Sequence, residues 1–175
     1  MSTATETNLL GLEVEPVLLS AVIQGVRDGL AMTGLTPPPV GASKLFASSR
    51  SIAVIVGLCG RSNGTLTLNM TERGMLHLAS SLIGEEQKAI DEQSLDAIGE
   101  IGNMVAGCVK DALMGTEFEL TNISVPSLIL GANYDFYLTR GFSTVSVEFE
   151  LAKIPIAYQR DRFFSATVSL LRRVG

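Results

Sequence analysis

The chain has 175 residues, of which 46% are hydrophobic and 18% charged. That is enough apolar material for one domain-sized core and too much for a disordered chain. The formal net charge is −5 and no run of Lys or Arg occurs, which argues against a nucleic-acid binder, because phosphate neutralisation needs clustered cations. Two cysteines, Cys59 and Cys108, make no disulfide framework and are read as thiols in a reducing compartment.

The N-terminal stretch lacks a basic leader region, and Glu13, Glu15, Arg27 and Asp28 interrupt its apolar residues. No segment approaches the ~20 apolar residues that span a bilayer, so a cytoplasmic location is expected. Residues 1–8 are small and polar and are expected to be disordered. Pro16 suits the first turn of a helix running to about residue 32. The segment 33–43, "TGLTPPPVGAS", reads as a loop. "SIAVIVGLCG" is a β-branched apolar strand, and Asn63-Gly64 is the expected hairpin turn. In the next strand Leu66, Leu68 and Met70 alternate with Thr65, Thr67 and Asn69, the pattern of a half-buried strand.

Thr71 is an expected N-cap for a helix ending near Gly84. A longer helix is expected over 89–114, stopped by Gly115. Strands are expected around 117–124 and 133–139, then at "VSVEFELA" and "FFSATVSLL". The sum is an α+β domain occupying 1–175, an antiparallel sheet with helices on one side.

The long helix contains "LDAIGEIGNMVAGCVKDAL". At 100° per residue, Asp96, Asn103, Gly107 and Asp111 fall within about 60° of Glu100, while Ile98, Gly102, Val105, Val109 and Leu113 gather near the opposite pole. Glycine inside a helix costs about 1 kcal/mol relative to alanine. Gly102, on the inner stripe, would let the helix sit close to a strand. Gly107, on the outer stripe, removes a side chain where a partner could approach. Any surface helix has a polar face, so periodicity alone gives Glu100 and Asn103 no task. They are three residues apart and project side by side. No His, Ser or Cys near them in sequence completes a hydrolytic triad.

Asp96, Glu100 and Asn103, followed by Pro126, fit the spacing Asp/Ser, three residues, Glu, two residues, Asn, twenty-two residues, Pro. In this the chain resembles the CheC/CheX/FliY chemotaxis phosphatase family, and is most similar to its CheX branch. The resemblance covers the first helix, the hairpin and the paired helices. It implies a CheC-like fold, a mainly antiparallel sheet covered by about three helices and internally pseudo-duplicated. A short internal match, "VRDGL" at 26–30 with "VKDAL" at 109–113, accords with this. Under that register Glu100 corresponds to Val17 and Asn103 to Ser20, so the first helix lacks the pair.

The resemblance further implies that the substrate is the aspartyl phosphate of a CheY-like response regulator. Asn103 would enter the regulator's site and orient the attacking water, and Glu100 would anchor to the regulator's lysine. Asp96, Met104 and Gly107 would contribute to binding. The chain itself would hold no cofactor or metal, Mg²⁺ being carried by the regulator. A homodimer is implied by analogy. The alternative is a receiver-binding module without catalysis in a two-component or flagellar switch pathway.

Other features have plainer readings. His77 lacks a Cys/His cluster and is not expected to hold a metal. Gly57, Gly60 and Gly64 match no phosphate loop and are assigned to turns. The run Arg160, Asp161, Arg162 is expected to be a solvated turn. Cys108 lies at about 80° from Glu100 on the wheel and should matter for packing more than chemistry.

Overall fold

The computed structural model describes residues 14–45, 50–131 and 140–171. The expected disorder at 1–8 and the expected strand at 133–139 lie outside the described residues. Within them one seven-stranded antiparallel sheet carries three α-helices. In chain order these are α1 (Pro16–Gly29), β1 (Pro39–Ser43), β2 (Ile52–Gly60), β3 (Asn63–Met70), α2 (Glu72–Ile83), α3 (Glu92–Ala112), β4 (Leu120–Ile123), β5 (Ser127–Leu130), β6 (Phe142–Glu150) and β7 (Phe163–Leu171), with short 3-10 turns at Ala31–Thr33 and Ile156–Arg162.

The strand order β1-β6-β7-β3-β2-β4, with β5 also paired to β2, is nearly symmetric about the β7–β3 seam. There β3 and β7 run antiparallel with Thr67 opposite Thr167. Each half contributes an outer strand to the other half's hairpin, since β1 pairs with β6 and β4 with β2. The two similar pentapeptides close the equivalent helices. Leu30 and Leu113 are both C-caps, with φ/ψ of −93°/0° and −92°/0°. The pseudo-duplication implied by the resemblance is thus visible in the topology.

Cross-strand neighbours Val54 and Leu68, Val56 and Leu66, Leu66 and Val168, and Val147 and Ala166 put one face of the sheet under the helices. All are buried, as are Leu18, Val22 and Val26 of α1 and Ile98, Ile101 and Val105 of α3. Each buried Val, Leu or Ile side chain among them contributes about 1.5–3 kcal/mol of burial. Phe149 stacks on Phe164 at a centroid separation of 5.3 Å.

Several local expectations are corrected. The end of the expected 33–43 loop is strand β1, whose five residues are all exposed. Its Pro and Gly mask the strand pattern, and they are tolerated because it is an edge. The β2–β3 turn is Arg61-Ser62, and Asn63 and Gly64 already belong to β3. Gly64 is there for proximity, since a Cβ on it would lie 1.8 Å from the Ser169 carbonyl oxygen. Gly60 likewise meets the Glu119 carbonyl across the sheet. The polar side of β3 is not wet: Thr67 and Asn69 are buried, beside Ser165, Thr167 and Ser169 of β7. Hydroxyls pair across this face, Ser146 with Thr167 at 2.8 Å and Thr144 with Ser169 at 3.0 Å. The 160–162 run is not a free turn either. Arg162 pairs with Glu150 and donates to the Ile154 carbonyl, and Asp161 accepts from Arg73 at 3.2 Å. Arg73 in turn lies 3.7 Å over the Tyr158 ring.

Candidate functional site

The long helix begins at Glu92, three residues later than its periodicity predicts, because Asp91 and Ser94 form a reciprocal capping box. Ser94 N–H donates to Asp91 Oδ1 at 2.8 Å, and Asp91 N–H donates to Ser94 Oγ at 2.9 Å. Those bonds hold the Asp91 carboxyl below its ordinary pKa. Such a box satisfies two backbone donors that a helix start leaves open.

Glycines then set where the helix lies. A Cβ on Gly102 would stand 2.6 Å from Val54 Cγ1, so α3 presses onto β2 through its missing side chain. On the other flank, Gly25 and Gly29 of α1 receive Val109 and Val105 of α3, with would-be contacts of 2.3 Å and 2.7 Å. The helix is therefore clamped by the sheet and by α1, with one face left over. Gly107 lies on that face, and a Cβ there would meet nothing within 4 Å. The two glycines thus serve opposite ends, close packing inside and clearance outside.

The outward face carries what the helical wheel predicts. Asp96, Glu100 and Asp111 are exposed, Asn103 and Gly107 half-buried, and Ile98, Gly102, Val105, Val109 and Leu113 buried. Met104 is half-buried and packs against the core. Among the described residues, neither Glu100 nor Asn103 has a side-chain hydrogen bond or ion pair. A carboxylate and a carboxamide side by side with free valences can accept and donate to something arriving from solvent.

From the sequence, Pro126 is read as fixing local backbone shape, since it cannot donate in a strand ladder. A Cβ on Gly99 would lie 3.5 Å from Pro126 Cγ and 3.7 Å from Leu128 Cδ1. Pro126 thus flanks α3 one turn before Asn103, joining the last member of the sequence pattern to the others in space.

Thiol chemistry at this face is disfavoured. Burial raises the Cys108 pKa, and the nearby carboxylates of Asp28 and Asp111 raise it further. A nucleophilic cysteine needs the opposite environment. Cys59 is exposed on the sheet face away from the helices. His77 lies on α2, where burial first and Lys153 second lower its pKa; it belongs to a groove with Arg73, Ser80 and Asp161, distinct from the α3 face.

The sequence matches the family described as Chemotaxis phosphatase CheX over residues 52–150. It is 30% identical over 113 residues to the CheY-P phosphatase CheX of Thermotoga maritima, covering 63% of this chain and 72% of that protein. The fold is similar to that of a CheC-like superfamily protein from Shewanella sp. PV-4, with a TM-score of 0.72, 18% identity and coverage of 90% and 99% of the two chains. It is also similar to a chain of a CheX-CheY-BeF3-Mg²⁺ complex from Borrelia burgdorferi, with a TM-score of 0.69, 22% identity and coverage of 91% and 99%. The site lies within the matched segment, on a helix that the shared fold presents outward: the chain belongs to the CheX family of chemotaxis phosphatases.

Proposed function

We propose that this protein hydrolyses the aspartyl phosphate of a CheY-like response regulator, with Asn103 placing the attacking water and Glu100 holding the regulator. The observation that carries this reading is the outward pair itself, unpartnered and one helical turn long, with the Gly107 clearance beside it.

The chemistry asks little of the enzyme. An acyl phosphate is already activated and its transition state is loose, so positioning and charge stabilisation dominate. Water attacks phosphorus, the bond from phosphorus to the acyl oxygen breaks, and aspartate and inorganic phosphate leave. In this reading the regulator supplies its own Mg²⁺ and a lysine, and the visiting helix supplies geometry. The Asn103 carbonyl accepts from the water while its NH₂ group donates, fixing the water in line. The Glu100 carboxylate faces the lysine, an electrostatic contact with no need for a general base. Asp96 adds negative charge, and Met104 and Gly107 shape the contact surface.

We further propose that the protein acts in the cytoplasm, where receiver domains reside, and as a homodimer. No helix among the described residues is long and apolar enough to cross a membrane. The exposed edge strand β1 leaves an open ladder at which a second copy can pair. The test of function is direct: incubate the protein with phosphorylated receivers from its source genome and follow loss of phosphate. Accelerated decay for at least one receiver is expected. Decay at the spontaneous rate for all of them would sink the proposal.

A further inference from the structure

The edge of the sheet beside α3 is interrupted. Along β2, two residues, Val56 and Gly57, separate Ile55 from Leu58. On the facing edge three residues, Ser124, Val125 and Pro126, separate Ser127, opposite Ile55, from Ile123, opposite Leu58. One extra residue is a β-bulge, a device that re-aims a side chain and recurs at sheet edges near functional sites. The residue re-aimed is Val125, which is 82% exposed, a degree that costs an aliphatic side chain its burial energy and does nothing for folding.

The bulge is braced. Ser124 N–H donates to the Gly57 carbonyl at 2.9 Å, Gly57 N–H donates to Ser124 Oγ at 2.8 Å, and that hydroxyl donates to the Val125 carbonyl at 2.8 Å. Pro126 restricts the backbone of Val125 and rests at Gly99. Asn103 lies one turn along α3 on the same flank as Gly99. A stiff β-branched side chain on a fixed backbone thus stands next to Pro126, which meets α3 at Gly99, one turn before Asn103. Such a residue loses little entropy when buried by a partner, which is what makes an efficient anchor.

We propose that Val125 is an apolar docking anchor for the receiver domain, filling a hydrophobic depression beside the receiver's phosphorylation cleft while the acidic face of α3 meets its basic side. This rests on the proposed function and deepens it. The exposed carboxylates of Asp96 and Glu100, unpaired among the described residues while Asp111 pairs with Lys110 at 3.5 Å, favour a partner with positive charge around an apolar patch, and the bulge gives the patch its counterpart. Val125 is a positioning residue and does not touch the reacting atoms.

The experiment measures binding and turnover separately, using Mg²⁺ and beryllofluoride-activated receivers from the same genome as the binding probe. Val125→Ala is expected to weaken binding about tenfold, and Val125→Asp more, as for a central interface residue. Phosphate loss at saturating protein should stay within about twofold of the parent, so the effect falls on KM and spares kcat. Val125→Ile should restore affinity, and thermal melting of all three variants should match the parent because the side chain is exposed. Parent and Val125→Ala binding equally well would overturn the anchor while leaving the phosphatase reading intact. A parent that binds receivers without hydrolysing them would remove the phosphatase reading, and the anchor would then stand or fall on the affinities alone. No binding by the parent to any receiver would remove both.

Discussion

Replacing Asn103 by alanine deletes both the acceptor and the donor that would hold a water and breaks no hydrogen bond, because the half-buried side chain has no polar partner among the described residues. If water placement supplies about a hundredfold, Asn103→Ala should lose about 2.7 kcal/mol of transition-state stabilisation. Decay of the receiver's acyl phosphate at saturating variant should slow accordingly, with affinity retained. An undiminished rate at saturation would reassign the water to another group. Glu100→Lys should behave differently. It sets a cation against a cation, so affinity for the phosphorylated receiver should fall while the fold is unharmed, because Glu100 is exposed. A titration with unaltered affinity would count against the lysine contact. Cys108→Ser offers no such leverage, since burial and two carboxylates already keep the thiol protonated.

At the scale of the element, α3 reconciles two demands with two glycines. Gly102 cannot gain a side chain without pushing Val54, whereas Gly107 can. Gly107→Ala should therefore stabilise the fold by about 1 kcal/mol through helix propensity and raise Tm by about 2–4 °C for a chain of this size. The same methyl would stand where a receiver must approach, so binding should weaken. A variant that is both more stable and equally tight in binding would show that the clearance is idle. Much of this element was legible beforehand. Its wheel and the outward pair follow from 3.6-residue periodicity, which depends only on residues along one helix, whereas its end comes at Ala112, with Leu113 as the C-cap, two residues before the expected 114. Its start was misplaced because a capping box of Asp91 with Ser94, in place of the commoner Ser/Thr with Glu/Gln, does not stand out in sequence. The strands fared worse for a physical reason. Gly64 looks like half of an Asn-Gly turn, and only the Ser169 carbonyl across the seam explains it. The bulge at Val125 depends on counting residues against a strand 67 positions away, between Gly57 and Ser124. Nothing local reports it, and Arg162 and Asp161 likewise find their partners through the fold.

For the whole molecule, the edges decide association. β1 is exposed along its length and, among the described residues, pairs on one side only, with β6. Edge strands either get protected or find a copy. Light scattering on the eluting peak should give twice the 18.6 kDa of one chain. A mass of one chain at all concentrations tested would dismiss the dimer.

The near symmetry about Thr67 and Thr167 carries one more implication. The body has two equivalent helices, α1 of 14 residues and α3 of 21, yet only α3 bears the acid and the amide; its twin offers Val17 and Ser20 at the corresponding places. The molecule therefore has a front and a back. Under the proposed reading each chain accommodates a single guest, always from the same direction, and the silent twin is left to packing alone, against α3 on one flank and against β6 and β7 beneath.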